Sequence, residues 1–336
     1  MRALAFTRYG GPEALSLLDL PAPAADPGRV LIRTAAAGLN PVDVLQRSGT
    51  FKALAPYRFP KIAGNELSGT VEAVGPGVDT VAPGDGVIVR VDTAELGAFA
   101  ELVSVAAEHV APAPTSIPLV DAAGLPLAGL TAQQALGSEH LAVAARDRLL
   151  ITGAAGGVGQ IAVQLARIIG ADITVTASPA GADLLRGLGA DHVIDYRARR
   201  VSDGPERFTK VLDLVGGDGL EDLLGSVERG GRVVTLSGPP SPGSLADVAV
   251  PARRPIAALA ARLQSRGIRG RARAAGVSYE FFLMHPDGAG LAELARLVDA
   301  GRLTVPIDSR FALADHREAF ARLESRRAKG KVLVEF

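Results

Sequence analysis

Four glycines in the stretch GAAGGVG, Gly153, Gly156, Gly157 and Gly159, are the part of this chain best suited to hold a ligand. A short apolar run, Leu149 to Thr152, leads into them, apolar residues at helical spacing follow from Ile161 to Ile169, and a second β-branched run, Ile173 to Thr176, lies behind. That order predicts strand, tight turn, helix, strand. Glycine is needed where the backbone takes conformations closed to other residues, or where a missing Cβ lets a ligand approach the main chain. Free N–H groups and the positive end of the helix then face whatever lies over the turn, and the pyrophosphate of a dinucleotide suits that position. A second candidate is the polar, aromatic loop SGTFKALAPYRFPKIAGNE, Ser48 to Glu66, with Asn40 and Asp43 just before it. Loops of that length on a rigid β scaffold often line a site. Cysteine chemistry is excluded, because the chain has no cysteine for a disulfide, a thiolate metal site or a nucleophile. The histidines, His109, His140, His192, His285 and His316, are scattered without the spacing of a helical metal pair and read as structural or surface residues.

These residues need two domains to position them, and 336 residues with 48% hydrophobic content suffice for two cores. Up to about Val110 the texture is all-β. Strand-like runs at Ala3 to Phe6, Val30 to Ala35, Gly69 to Val74, Gly86 to Val91 and Ala100 to Val103 are separated by Pro/Gly turns. One helix interrupts them, Pro41 to Arg47, with Asn40 as N-cap and Pro41 at the first helical position. Two helical segments broken at Gly124 to Pro126 mark a change of character, and the boundary is placed there. Strand and helix then alternate: Arg148 to Thr152, a helix to Ile169, Ile173 to Thr176, helix Ala182 to Leu188, His192 to Asp195, Lys210 to Asp213, helix Gly219 to Val227, and Arg232 to Leu236. Such βα alternation implies a parallel sheet with helices on both faces. A loop, Ser237 to Pro251, precedes a basic helical segment with Arg253, Arg254, Arg262, Arg266, Arg269, Arg271 and Arg273, which could hold nucleic acid but, lacking interleaved aromatics in a neutral chain, reads instead as a solvated face or one near a cofactor phosphate. A last sheet strand, Tyr279 to Met284, a helix Leu291 to Val298, and a strand, helix and closing strand complete the chain. Net charge is zero and the pI is about 7.0, which removes the electrostatic reason to expect nucleic acid or an anionic membrane as partner and favours a small molecule. Without a signal-peptide pattern or an apolar run of spanning length, the chain is expected to be soluble and cytoplasmic.

In this order the pieces AGLNPVDVLQRSG (Ala37 to Gly49), GNELSGTVEAVGPGV (Gly64 to Val78), GAFAEL (Gly97 to Leu102), GLTAQQAL (Gly129 to Leu136), ITGAAGGVGQIAVQLAR (Ile151 to Arg167), LGADHVIDYR (Leu188 to Arg197) and the terminal GKVLVEF span nearly the whole chain. Together they resemble the medium-chain dehydrogenase/reductase superfamily, and within it the zinc-free quinone and enone oxidoreductases of the zeta-crystallin type. The resemblance implies an α/β fold: a GroES-like partly open β-barrel domain, 1–123 with 285–336, and a Rossmann doubly wound parallel-sheet domain, 124–284, with the active site in the cleft between them. Zinc enzymes of the superfamily place a cysteine ligand near position 40 and a histidine-glutamate pair at 65 and 66, and add a four-cysteine structural lobe. Here Asn40, Asn65 and Glu66 stand there, so no metal is expected and alcohol oxidation is disfavoured. What remains is hydride transfer from NADPH to an acceptor that is already electrophilic, a quinone or an α,β-unsaturated carbonyl.

By the same resemblance Asn40 and Asp43 line the cleft floor near the nicotinamide, a bare helix cap and a structural acceptor being the competing roles. Thr131 lies beside the nicotinamide, or is a helix-interior hydroxyl bonded to its own backbone. Leu45, Phe51 and Tyr57 face the substrate; Phe51 and Tyr57 either stack on a planar acceptor or serve packing. Related reductases often carry tyrosines at positions 45 and 51, and their absence leaves water as the source of the final proton. Ala155, Gly156, Gly157, Val158 and Gly159 face the pyrophosphate. No acid follows the second strand, which favours NADPH, and Ser178, Tyr196 and Arg197 match positions that contact the 2′-phosphate. A lysine frequent near position 181 is replaced by Gly181, which weakens that preference. Val215, Leu236, Ser237, Gly238, Phe281, Phe282 and Leu283 flank the nicotinamide half. A homodimer through the edge strand Tyr279 to Met284 is expected. The alternatives are an acyl-linked enoyl reductase and an NADPH-binding structural or RNA-binding protein.

Overall fold

The chain divides into two units, Met1–Leu130 with His285–Phe336, and Thr131–Met284. In this computed structural model residues 1–217, 219–245 and 249–336 are described, so positions 246–248 of the loop expected at Ser237 to Pro251 lie outside the described residues. The first unit begins with β1 (Arg2–Phe6), β2 (Leu15–Asp19), β3 (Arg29–Leu39), α1 (Pro41–Ser48), β4 (Lys61–Ile62), β5 (Glu66–Val74), β6 (Gly86–Arg90), β7 (Leu102–Ala106), β8 (Val110–Pro112) and α2 (Leu119–Ala122). Helix α3 (Pro126–Leu136) runs through the change of unit. The second unit continues with β9 (Arg148–Ile151), α4 (Gly157–Ile169), β10 (Asp172–Ala177), α5 (Pro179–Leu188), β11 (His192–Asp195), β12 (Phe208–Asp213), α6 (Gly219–Leu224), β13 (Val227–Thr235), α7 (Arg254–Gln264), α8 (Arg266–Ala275) and β14 (Ser278–Phe281). The chain then returns to the first unit with α9 (Gly288–Asp299), β15 (Ile307–Ala312), α10 (His316–Glu324) and β16 (Lys331–Glu335).

In the first unit β1 sits between β2 and β4, and a larger sheet runs β15-β16-β3-β5-β6-β8 with β7 also on β3. Its core gathers Leu4, Phe6, Ile32, Leu67, Phe99 and Phe320, all essentially buried, and Phe99 meets Phe320 edge to face at 6.2 Å. The last strand is structurally central: β16 runs antiparallel to β3 with Val332 opposite Leu39 and Leu333 opposite Gly38. That register carries the preceding Lys331 to the end of β3, beside Asn40.

The second unit is a parallel sheet in the order β11-β10-β9-β12-β13-β14. The chain moves outward from β9 to β11, then crosses back to β12 and continues outward the other way. The carboxyl ends of β9 and β12 therefore flank the topological switch point, where such sheets bind ligands.

Several expected boundaries shift. The run Ala100 to Val103 pairs two or three residues later, as β7, and β3 and β5 extend to Leu39 and back to Glu66. Strands β2, β4 and β8 carried no alternating signal strong enough to read. Val227 is not helical as expected: α6 stops at Leu224, the Ser226 hydroxyl turns back to the Leu223 carbonyl at 2.9 Å, and Val227 starts β13. The strand expected to reach Met284 ends at Phe281, because its neighbour β13 ends at Thr235, the partner of Phe281.

Candidate active site

The glycine turn follows β9 and opens α4. Gly153 has φ of +62°, and a Cβ there would come within 3.1 Å of Val215 Cγ2. Gly159 sits where α4 crosses the turn; a Cβ would meet Ala154 Cα at 2.5 Å, so only glycine allows helix and turn this close. Gly156 is the N-cap of α4, and a Cβ on it would find only the Gly153 carbonyl, at 3.5 Å. The space over Gly156 is a cradle that a side chain would fill, and no side chain caps the helix N-terminus. Ala155, Gly156, Gly157 and Val158 are all partly exposed there, while Gly159 is buried beneath. The arrangement fits a pyrophosphate held by main-chain N–H groups and the helix dipole.

Asp213, at the end of β12, organises the surrounding loops and is a residue the sequence reading missed. Its carboxylate is 1% exposed and accepts from the Thr152 hydroxyl at 2.7 Å, the Thr235 hydroxyl at 2.7 Å, and the N–H groups of Val215 and Gly216. One buried carboxylate thus ties together the carboxyl ends of β9, β12 and β13. The only signal was the position of DLVGG at the end of a strand. Among the predicted nicotinamide contacts, Val215 is brought beside Gly153 and is 62% exposed. Leu236, Ser237 and Gly238 follow β13, whereas Phe281, Phe282 and Leu283 close the edge strand, Phe282 buried against His140 with rings 4.3 Å apart.

At the neighbouring strands, β10 ends at Ala177 opposite Asp195 of β11, so Ser178 and Tyr196 both follow the carboxyl end of the sheet. Ser178 is the N-cap of α5 and its side chain makes no capping bond, leaving its hydroxyl available. Tyr196 is 58% exposed, and the Arg197 guanidinium lies 5.9 Å from its ring centre.

The first unit holds a buried polar cluster at the end of α1. Asn40 caps α1: the Asn40 N–H donates to Asp43 Oδ2 at 2.7 Å, the return half of a capping box. Asp43 Oδ1 accepts from Asn65 Nδ2 at 2.6 Å, and Asn65 also exchanges bonds with Gln46. Asn40 Nδ2 donates to Glu66 Oε1 at 2.7 Å, and Glu66 Oε2 accepts from the Leu127 N–H at the start of α3 at 2.6 Å. Lys331 Nζ completes the cluster, bonded to Glu66 Oε1 at 2.5 Å, to the Leu39 carbonyl at 3.1 Å and to Asn40 Oδ1. Gly38 is obligatory beside it, since a Cβ would sit 2.4 Å from Glu66 Oε1. Asp43, Asn65 and Glu66 have no exposed surface and Asn40 only 3%. Burial pushes the Asp43 carboxyl up to about 7, against the opposing pull of the Asn65 and Asn40 donors and the Lys331 charge. With both oxygens engaged and no exposed surface, Asp43 serves as a structural acceptor that ties the start of α1 to Asn65.

Of the predicted substrate residues, Leu45 is 43% exposed on α1 and Phe51 is partly exposed just after it. Tyr57 is partly buried and packs against the core, its ring 6.2 Å from that of Phe6 and 6.1 Å from that of Tyr9. Burial holds its hydroxyl up at about 12, which suits it poorly as a proton donor. Thr131 is buried within α3.

Comparison with known proteins agrees with this architecture. Residues 26–115 match the alcohol dehydrogenase GroES-like domain, and residues 188–334 match the zinc-binding dehydrogenase family. The chain is 31% identical to the chloroplastic NADPH-dependent alkenal/one oxidoreductase of Arabidopsis thaliana, covering 99% of this chain and 79% of that protein. It is 30% identical to the chloroplastic quinone-oxidoreductase QR1 of Triphysaria versicolor, covering 100% and 98%. The solved structure of the quinone oxidoreductase from Coxiella burnetii superposes with a TM-score of 0.85 at 27% identity, covering 100% of this chain and 99% of that one. A GroES-like β unit, a six-stranded parallel sheet with a glycine turn at its switch point, and relatives matched from end to end lead to one assignment: the chain belongs to the medium-chain dehydrogenase/reductase superfamily, in its quinone oxidoreductase-like family of nicotinamide-dependent oxidoreductases.

Proposed function

We propose that the protein reduces quinones or α,β-unsaturated carbonyls with NADPH and uses no metal. The observation that carries this reading is the ammonium of Lys331, held by Glu66 and Asn40 where zinc relatives are expected to bring their ligands. The chain's own cation neutralises Glu66, and carboxamides stand at 40 and 65. Such a donor set suits a lysine better than zinc, which prefers thiolate, imidazole and carboxylate ligands. Without a Lewis acid to polarise an alcohol, the favoured substrate is an acceptor that is electrophilic on its own. Bound NADPH would supply the hydride. The glycine turn would hold its pyrophosphate, and Leu45 and Phe51 would border the acceptor, with water supplying the proton. The names of the alkenal/one and quinone relatives support the same substrate class.

The test is NADPH oxidation against a panel of quinones, enones and alkenals after dialysis against a strong chelator. Turnover with this panel, unchanged by chelation, is the expected result; activity lost on chelation and restored by zinc alone would overturn it. For the cofactor, the missing acid after β10 and the hydroxyls of Ser178 and Tyr196 support NADPH, with a preference of about tenfold, or about 1.4 kcal/mol. Gly181→Lys should widen the preference, because a Cβ at Gly181 meets nothing closer than Ala155 Cβ at 3.6 Å and the new charge reaches one cofactor only. Ser178→Asp should reverse it by repelling the 2′-phosphate and accepting from the ribose hydroxyls. Dissociation constants for both cofactors decide; no movement in either variant would mean the ribose pocket lies elsewhere.

A further inference from the structure

We propose that α7 and α8 form a docking surface for an anionic lipid bilayer, a property separate from the redox chemistry. Helix α7 is built inside out. Ala257 and Ala261 are its fully buried residues, whereas Ile256, Leu259 and Leu263 are 68%, 59% and 63% exposed. Among the described residues these are three of the four most exposed large apolar side chains, the other being Val215 beside the glycine turn. Their spacing of three and four residues puts them on one face, roughly opposite the buried alanines. A surface helix ordinarily buries its large aliphatic side chains and shows small or polar ones. Here the chain gives up aliphatic burial within the fold and presents a stripe outward.

The charge beside this stripe identifies what fits it. Residues 251–276 contain seven arginines and no aspartate or glutamate, in a chain whose overall charge is zero. Arg271 is paired with Glu221. Arg254, Arg262, Arg266 and Arg273 are exposed, and none of them forms an ion pair among the described residues. Arg262 lies three residues from Leu259 and next to Leu263 on α7, and Arg266 and Arg273 follow on α8; aliphatic side chains with cations close by in the chain match the boundary between acyl chains and anionic headgroups. A second copy of this chain fits less well, because a two-fold contact through this face would set arginines against arginines. Nucleic acid offers phosphates but nothing for an aliphatic stripe, and residues 251–276 contain no aromatic side chain on which a base could stack.

The full chain is tested by cosedimentation with vesicles of phosphatidylcholine alone and of an equal mixture with phosphatidylglycerol. Binding to the mixed vesicles is expected, weakened by high salt and at least about tenfold weaker on phosphatidylcholine alone. The triple variant Ile256→Glu, Leu259→Glu, Leu263→Glu replaces exposed side chains only. It should keep the parent circular dichroism and NADPH affinity but lose binding by at least about tenfold. A second variant, Arg254→Gln, Arg262→Gln, Arg266→Gln, should lose the preference for anionic vesicles while keeping the apolar stripe. A parent that stays in the supernatant with mixed vesicles overturns the proposal, as does a triple variant that binds like the parent. So does a triple variant whose only change is a smaller oligomer in sedimentation velocity, which would make this face a contact between copies.

Discussion

At the scale of single residues, the buried pair of Lys331 and Glu66 is the most sensitive point in the first unit. Both are almost fully buried, and Glu66 Oε1 accepts from Lys331 and from Asn40 at once. Removing one partner of a buried pair leaves the other charge out of water and without its bonded counter-charge, at a cost of about 3–5 kcal/mol. Lys331→Met should therefore destabilise by about that amount in urea denaturation, and adding Glu66→Gln should recover most of it. A single variant within about 1 kcal/mol of the parent would refute the account. Asp43 sets a pH dependence of known sign. Its carboxyl titrates at about 7 in the folded protein and near 3.8 when unfolded, because burial penalises the charged form. Between those values the folded state holds more protons, so stability falls as pH rises through the window and levels off above it. From about pH 5 to about pH 8 that contribution is on the order of 2–3 kcal/mol at most. Asp43→Asn should flatten the profile by that share, measured by denaturation at the two pH values. An unchanged slope would mean the carboxylate stays ionised throughout.

At the scale of elements, the turn from β9 into α4 separates two roles of glycine that look alike in sequence. Gly156 has φ of −79°, which alanine adopts freely, and its Cβ would enter only the open cradle. Gly156→Ala should leave the melting temperature near that of the parent and weaken NADPH binding by about tenfold or more, through contact with the pyrophosphate. Gly159→Ala should instead lower stability by more than about 2 kcal/mol, since its Cβ strikes Ala154 backbone that cannot move without displacing α4. Thermal melts and fluorescence titration of NADPH distinguish them. Equal effects of both substitutions would show that the cradle is not the cofactor site. The turn was legible because every determinant is local: strand, glycines and helix follow one another within a few turns of chain. The end of α6 was not, because the sequence Gly225-Ser226-Val227 could continue a helical pattern. Only pairing with β12 and β14 makes Val227–Thr235 a strand.

At the scale of the molecule, β14 is an edge of the parallel sheet among the described residues, and an open sheet edge calls for a partner. The Ser241 hydroxyl accepts from the Phe281 N–H at 2.7 Å and covers part of that edge. Pairing across a two-fold axis would cover the rest. Sedimentation equilibrium at micromolar concentration should give twice 34.5 kDa; a monomer alone would sink this arrangement. By itself the sequence determined the alternation that makes the parallel sheet, the glycine turn at its switch point, the capped helix after Asn40 and the lack of thiolate ligands. Each is written in local spacing or in composition. The tertiary structure decided what those residues meet. It brought Lys331 to Asn40 and Glu66 through the antiparallel register of β16 on β3, across 291 and 265 residues of chain. It buried Asp43, drew Asp213 into the ends of three strands, and turned the aliphatic side of α7 outward. Local periodicity sets which face of an element is apolar; which distant element that face meets, or whether it meets any, depends on the packing of the whole chain.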